Sequence, residues 1–244
     1  MPRFFTPSEN FDEGKVKITG DDARHIARAL RMAVGDEITV ADMQGREHLC
    51  KLTRIRDEEC ECEILESREG RTESPLEITL YMGYPKGDKL EVVIQKAVEL
   101  GASRIIPFES SRCVKRPKDD KIEKQTARLQ RIAEEAAKQC GRARLPRVQT
   151  PVSFKNAIAE ARLSDLPLFC YEGDGTRSLK KVLEEKTNAK ACAVVVGCEG
   201  GFSIEEAEFA ISEGMIPINL GPRILRCETA PTYALSCLSF AFEL

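Results

Sequence analysis

Two segments near the end of this 244-residue chain combine residue types and spacings that chemistry could use. In AVVVGCEGGFSIEEAE, an apolar strand pattern over residues 193–196 runs into Gly197-Cys198-Glu199-Gly200-Gly201. A helix follows, opened by Ser203 and Glu206, the two ends of a capping box. Three glycines in five residues permit a sharp turn and a close approach of backbone to a ligand. The run is neither the GxGxxG of dinucleotide sites nor a phosphate-binding loop ending in Lys-Ser/Thr. Taken alone, it is equally a tight strand-to-helix turn. In INLGPRILRCETAPTYAL, a strand ends at Leu220 and Gly221-Pro222 turns the chain. Residues 223–227 then lead to a last helix beginning near Glu228 or Thr229. Ile224-Leu225 lies between two arginines in a loop, a segment type that often encloses something. Its amides and carbonyls could bond an adenine edge while Ile224 and Leu225 cover the face, with Arg226 and Glu228 supplying charge. The alternative is a plain helix-entry loop with a salt bridge.

Both segments belong to consecutive strand–helix units, and the elements before them set their position. After Pro75, strand patterns (LEITLYMGYP, SRIIPFES, LPLFCYE, ACAVVVG, MIPINLG) alternate with helix patterns. The helices are KLEVVIQKAVELG, KIEKQTARLQRIAEEAAKQCG, FKNAIAEAR, LKKVLEEK, SIEEAEFAISEG and PTYALSCLSFAFEL. This alternation predicts an α/β domain over residues 75–244, a mostly parallel sheet flanked by helices on both faces. Such sheets bind ligands beyond the carboxyl ends of their strands, so the two loops fall side by side at one edge. Residues 1–72 read differently. DEITVAD, HLCKLTRI and ECECEILE alternate apolar and polar residues, and DDARHIARALRM has helical spacing, so a small β-barrel is expected. The polar stretch EGRTESP links the two domains.

Composition excludes several classes. No apolar run approaches the roughly 20 residues of a membrane helix, and MPRFFTPSEN lacks a signal peptide's apolar core, so a cytoplasmic protein is expected. The ten cysteines form no CxxC and the two histidines, His25 and His48, join no cysteine cluster. The cysteines read as small buried hydrophobes, with no metal site. Net charge is −3, but residues 112–147 hold twelve Lys and Arg against five Asp and Glu, a net +7, while residues 1–74 hold −5. A basic segment in an acidic protein fits either one face meeting a phosphate backbone or a solvated helix.

The motifs HIARALRMAVGDEI, KLEVVIQKAVELGASRIIP, RIAEEAAKQCGRARLP, GCEGGFS and LGPRILRCETA together resemble the ribosomal RNA small subunit methyltransferase E family, over the whole chain. That family belongs to the SPOUT superfamily of knotted methyltransferases. The resemblance implies S-adenosylmethionine as cofactor and N3 of a uridine in 16S rRNA as substrate. It further implies a trefoil knot, a homodimer and a PUA-like N-terminal barrel. By the same resemblance, Tyr171, Gly197, Glu199, Gly200, Gly201, Leu220, Gly221, Ile224, Leu225 and Arg226 would line the cofactor pocket. Arg226 would stabilise charge on the deprotonated base, and Glu228 would take the proton or orient Arg226. RNA would meet Arg3, His25 and Arg31 in the barrel, and Arg112, Lys115, Arg116, Arg142 and Arg144 in the basic stretch. The assembled small ribosomal subunit, rather than free rRNA, is the expected substrate. One position departs from the family, which usually has proline where this chain has Cys198. A non-catalytic RNA-binding protein and an ordinary nucleotide-dependent α/β enzyme are the competing readings.

Overall fold

A computed structural model describes residues 1–114 and 119–244. The chain divides into two compact units, Met1–Glu73 with Ala137–Leu145, and Ser74–Ala136 with Pro146–Leu244. The N-terminal unit is thus not contiguous: it recruits a nine-residue segment from the middle of the basic stretch, which sequence patterning assigned to the larger domain.

In the first unit, β1 (Arg3–Phe5), β2 (Phe11–Asp12) and β3 (Lys15–Thr19) precede a helical turn α1 (Gly20–Arg24), which continues as one π turn over His25–Ala29. Strands β4 (Glu37–Ala41), β5 (Arg46–Ile55) and β6 (Glu59–Glu69) follow. Their sheet has the order β1-β4-β5-β6-β3-β2, antiparallel except for the β1–β4 pair. The period-two patterning works as it should: Val16, Ile18, Ile38, Val40, Cys50, Leu52, Cys60 and Cys62 turn to one face and bury against Phe4, Ala23 and Ile26. β1 and β2 stand at the two ends of this order. Register shifts at Leu49/Cys50 and Leu52/Arg54 disturb the β5–β6 ladder, the kind of irregularity that bends a strand.

Several contacts hold the Ala137–Leu145 segment in this unit, among them Lys138 to Asp22 at 2.7 Å and the Thr72 hydroxyl to the Gly141 carbonyl at 2.8 Å, and one carboxylate gathers four of its donors. Glu73 accepts from the Arg142 guanidinium (2.6 Å to Nη2, 3.2 Å to Nε) and from the amides of Ala143 (2.9 Å) and Arg144 (3.0 Å). Arg142 is 4% exposed, and its carbonyl accepts from Arg3, whose guanidinium also binds the buried Glu47 at 2.9 Å. Arg142 is therefore a structural cation and not a phosphate ligand, a correction to its expected place in an RNA surface; desolvation would be tolerable only with the partners it has. Arg3 is drawn into the same network and presents little of its guanidinium to solvent.

The second unit contains β7 (Glu77–Gly83), α2 (Lys89–Glu99), β8 (Ala102–Glu109), α3 (Ile122–Cys140, its end in the first unit), β9 (Arg147–Val148) and β10 (Val152–Ser153). It continues with α4 (Phe154–Ala161), β11 (Leu166–Cys170), β12 (Arg177–Ser178), α5 (Leu179–Glu185), β13 (Ala191–Val196), α6 (Ile204–Ser212), β14 (Ile216–Asn219) and α7 (Thr229–Glu243). The sheet order is β10-β8-β7-β13-β11-β14-β12, with β9 on β8, and every pairing is parallel. Central strands covered on both faces need near-continuous apolar runs, and β7, β13 and β11 supply them. An aromatic cluster of Phe108, Phe154, Phe169 and Phe202 fills one face, with the Phe169 and Phe202 rings 4.4 Å apart. All ten cysteines are free, and seven are buried. Burial pushes Cys50 and Cys62 up to about 12, which keeps them protonated and inert.

Replacing Arg142 with Met leaves Glu73 without its cation and should cost about 3 kcal/mol of stability in urea unfolding at neutral pH. Burial works against the Glu73 charge, but Arg142 and the Arg144 and Ala143 amides outweigh it and lower its pKa. Their stabilisation is therefore full above the unfolded glutamate pKa of about 4.3 and lost as pH falls through the lower folded value. The variant should lose most of that acid sensitivity.

Candidate active site

Three adjacent parallel strands, β13, β11 and β14, end at one edge of the sheet, and the loops that leave them enclose a cavity of about 500 Å³. That volume suits a nucleoside-sized ligand. From β13 come Gly197, Cys198, Glu199, Gly201 and Phe202; from β11, Tyr171 and Glu172; from β14, the whole stretch 220–228. Lys89, at the start of α2, completes the wall.

The loop after β13 is compressed. A Cβ on Gly83, the last residue of β7, would lie 2.5 Å from the Cys198 amide nitrogen, and one on Gly197 would lie 3.0 Å from the Cα of Gly201. The Gly201 amide closes the turn on the Cys198 carbonyl at 2.9 Å, with Gly201 at φ +63°. Phe202 then plants the loop in the aromatic cluster, and the capping box of Ser203 and Glu206 starts α6. Glycine here serves backbone-to-backbone contact as well as ligand approach. Cys198 is buried, and its thiol pairs with Cys113 beneath the loop. That hydrogen bond and two with Ser110 lower the Cys113 pKa against its burial, while the same Cys113 contact, together with burial, raises that of Cys198.

Charge is arranged in two groups. The Lys89 ammonium lies 3.0 Å from Glu199 and 3.6 Å from Glu228, and the Glu199 carboxylate also accepts from the Lys86 amide at 3.0 Å. Burial opposes the Glu199 charge, but its own amide, Lys89 and the Lys86 amide prevail and lower its pKa. The Cys227 thiol, 3.2 Å from Glu228, is the largest influence lowering that carboxyl, followed by its own amide and Lys89. Glu228 is thus ionised at neutral pH, the form a proton acceptor requires. Arg223 and Arg226 form the second group: both are exposed on the cavity rim, and neither side chain has a hydrogen bond or ion pair among the described residues. The Arg226 carbonyl caps α7, accepting from Thr229 and Ala230 at 2.9 Å.

Of the pocket residues named from sequence, Tyr171, Gly197, Glu199, Gly201, Leu220, Gly221, Ile224, Leu225 and Arg226 converge on this cavity, as does Glu228. Gly200 does not. Its carbonyl turns to the Arg112 guanidinium at 2.8 Å, and its missing Cβ makes room for the Arg112 side chain. Ile224 is 85% exposed, lining the cavity mouth without covering it. Lys89, Glu172 and Phe202 were not singled out from the sequence. Lys89 did carry a signal, since a lysine in the first turn opposes the helix dipole and needs an anionic partner. Among the RNA candidates, His25, Arg31, Arg112 and Arg144 are exposed, whereas Lys115 and Arg116 lie outside the described residues. No group of three potential metal ligands occurs among the described residues, and no described helix is long and apolar enough to cross a membrane.

Residues 72–239 match an RNA methyltransferase domain and residues 18–65 an RNA methyltransferase PUA domain. Ribosomal RNA small subunit methyltransferase E of Bacillus subtilis is 34% identical over 100% of this chain and 98% of its own length. The Synechocystis protein of the same name is 32% identical over 99% of this chain and 78% of its own. Among solved structures, ribosomal RNA small subunit methyltransferase E from Neisseria gonorrhoeae bound to S-adenosyl methionine superposes with a TM-score of 0.87 at 31% identity, covering 99% and 98% of the two chains. A putative methyltransferase from Legionella pneumophila in complex with the same cofactor gives 0.88 at 30% identity, over 98% and 97%. Fold, site and these matches define an RNA methyltransferase. Within that class, the chain belongs to the ribosomal RNA small subunit methyltransferase E family.

Because Gly83 touches the loop but does not line the cavity, Gly83→Ala should act only by displacing residues 197–201. It is expected to cost about 1–3 kcal/mol in thermal or urea unfolding. Affinity for S-adenosylmethionine, by calorimetry, should drop roughly tenfold or more.

Proposed function

We propose that the protein transfers a methyl group from S-adenosylmethionine to N3 of a uridine in 16S ribosomal RNA. The observation carrying this reading is the cleft itself: backbone-lined walls at Gly197, Gly201 and Gly221 beside two unpaired arginines, in a chain of this family. The walls suit the cofactor because glycines leave amides and carbonyls accessible to an adenine and ribose, and Glu199 adds an acceptor. When bound, the cofactor supplies an electrophilic methyl on a sulfonium.

The chain's own residues then have three tasks. The loops hold the acceptor nitrogen in line with the departing sulfur, since such displacements depend on alignment. Arg226, free to turn toward the base, stabilises negative charge on the uridine oxygens as N3 loses its proton. Glu228, ionised, accepts that proton or orients Arg226. RNA is gripped by the exposed His25, Arg31, Arg112 and Arg144, with Lys115 and Arg116 in the same basic stretch. The same reading includes a trefoil knot formed where the C-terminal segment threads back, and a homodimer. Exposed Ile224, Tyr233 and Phe240 support the dimer. It also takes the assembled small subunit as substrate and the cytoplasm as the place of action.

The test is transfer of labelled methyl from S-adenosylmethionine to small subunits lacking the modification, with mass mapping of the product nucleoside. A single 3-methyluridine is expected; label on a ribose or another base would overturn the N3 assignment. Arg226→Ala should lower kcat about 100-fold, the scale of losing one charge-stabilising donor. The melting temperature should hold, because the side chain has no partner to lose among the described residues.

A further inference from the structure

We propose that Lys89 is the positioning residue that holds the two cofactor loops together, by neutralising the facing carboxylates of Glu199 and Glu228. The inference rests on reading the cleft as the S-adenosylmethionine site. Lys89 comes from α2, Glu199 from the loop after β13 and Glu228 from the residue before α7, so a single ammonium joins three separate pieces of chain. The contacts are 3.0 Å to Glu199 and 3.6 Å to Glu228, with the Cys227 sulfur at 3.9 Å. Glu199 has a second donor in the Lys86 amide, but Lys89 is the only cation in ion-pair contact with Glu228 among the described residues. The other charged groups lining the cleft are Glu172, beside Gly201, and Arg223 and Arg226, which pair with neither carboxylate.

The location argues for a purpose beyond surface charge. A lysine in the first turn of a helix faces the positive end of the dipole and is disfavoured there without anionic partners. Removing it leaves two carboxylates pointing at one place, and their repulsion falls on residues 220–228, most of which are exposed. The cleft would then open on the side that carries Arg226. The three side chains are 36%, 30% and 24% exposed, so solvent screening keeps the effect moderate.

Lys89→Met should weaken S-adenosylmethionine affinity roughly five- to tenfold at pH 8. Affinity should recover toward about pH 5.5, as the uncompensated carboxylate pair takes up a proton, while the wild type stays flat over that range. The double variant Lys89→Met/Glu228→Gln, which removes one of the repelling charges, should bind nearly as the wild type does. Hydrogen exchange of the ligand-free proteins gives an independent readout: faster exchange over residues 220–228 in Lys89→Met, restored in the double variant. Equal affinity and exchange in Lys89→Met and wild type would overturn the proposal. A loss that the double variant fails to rescue would also overturn it, by making Lys89 a direct ligand. If the wild type binds no cofactor, the functional reading fails, and the exchange comparison still decides the clamp.

Discussion

The contact between the end of β7 and the loop after β13 sets the geometry of everything around the cleft. Gly83 and Cys198 lie so close that a single methyl on Gly83 would sit 2.5 Å from the Cys198 nitrogen. Parallel pairing of β7 with β13 brings the two backbones together, and the glycines let them touch. That contact fixes the height at which the chain turns back at Gly201, and Phe202 anchors the turn in the aromatic core. With the turn fixed, Glu199 meets the Lys86 amide and the Lys89 ammonium, and through Lys89 the loop meets Glu228 at the entry to α7. Displacing one backbone contact would therefore propagate to each wall of the site, because packed interiors do not absorb ångström-scale shifts locally.

Electrostatics follows the same economy. Several buried or half-buried charges are matched: Arg142 with Glu73, Glu47 with Arg3 and Arg68, Lys89 with two carboxylates. On the rim of the cleft, Arg223 and Arg226 have no ion-pair partner among the described residues. Unpaired arginines on a rim cost little in solvent and gain strength once a ligand excludes water.

Much of this was legible in the sequence. The alternation of strand and helix patterns after Pro75 matches every major element of the parallel unit, because doubly covered strands and amphipathic helices have distinct periods. The loops carrying Gly197 and Arg226 announced themselves by glycine and by apolar residues placed between charges. Other features were hidden because they depend on tertiary contact. Short strands such as β1, β2 and β12 have too few residues to show a period. Arg142 looked like any arginine of a basic run until folding placed it against Glu73, 69 residues away. Gly200 looked like its neighbours Gly197 and Gly201, yet it packs on Arg112, since residues one apart in a turn face different directions.

The central claim is that the three loops at the β13, β11 and β14 edge form one cofactor site, and a crystal structure of the protein with S-adenosylmethionine tests it most directly. The account predicts cofactor density in this cleft, with the adenine against residues 220–225, the ribose near Glu199 and the methyl facing Arg226. Density elsewhere on the protein, or an empty cleft at saturating cofactor, would contradict it.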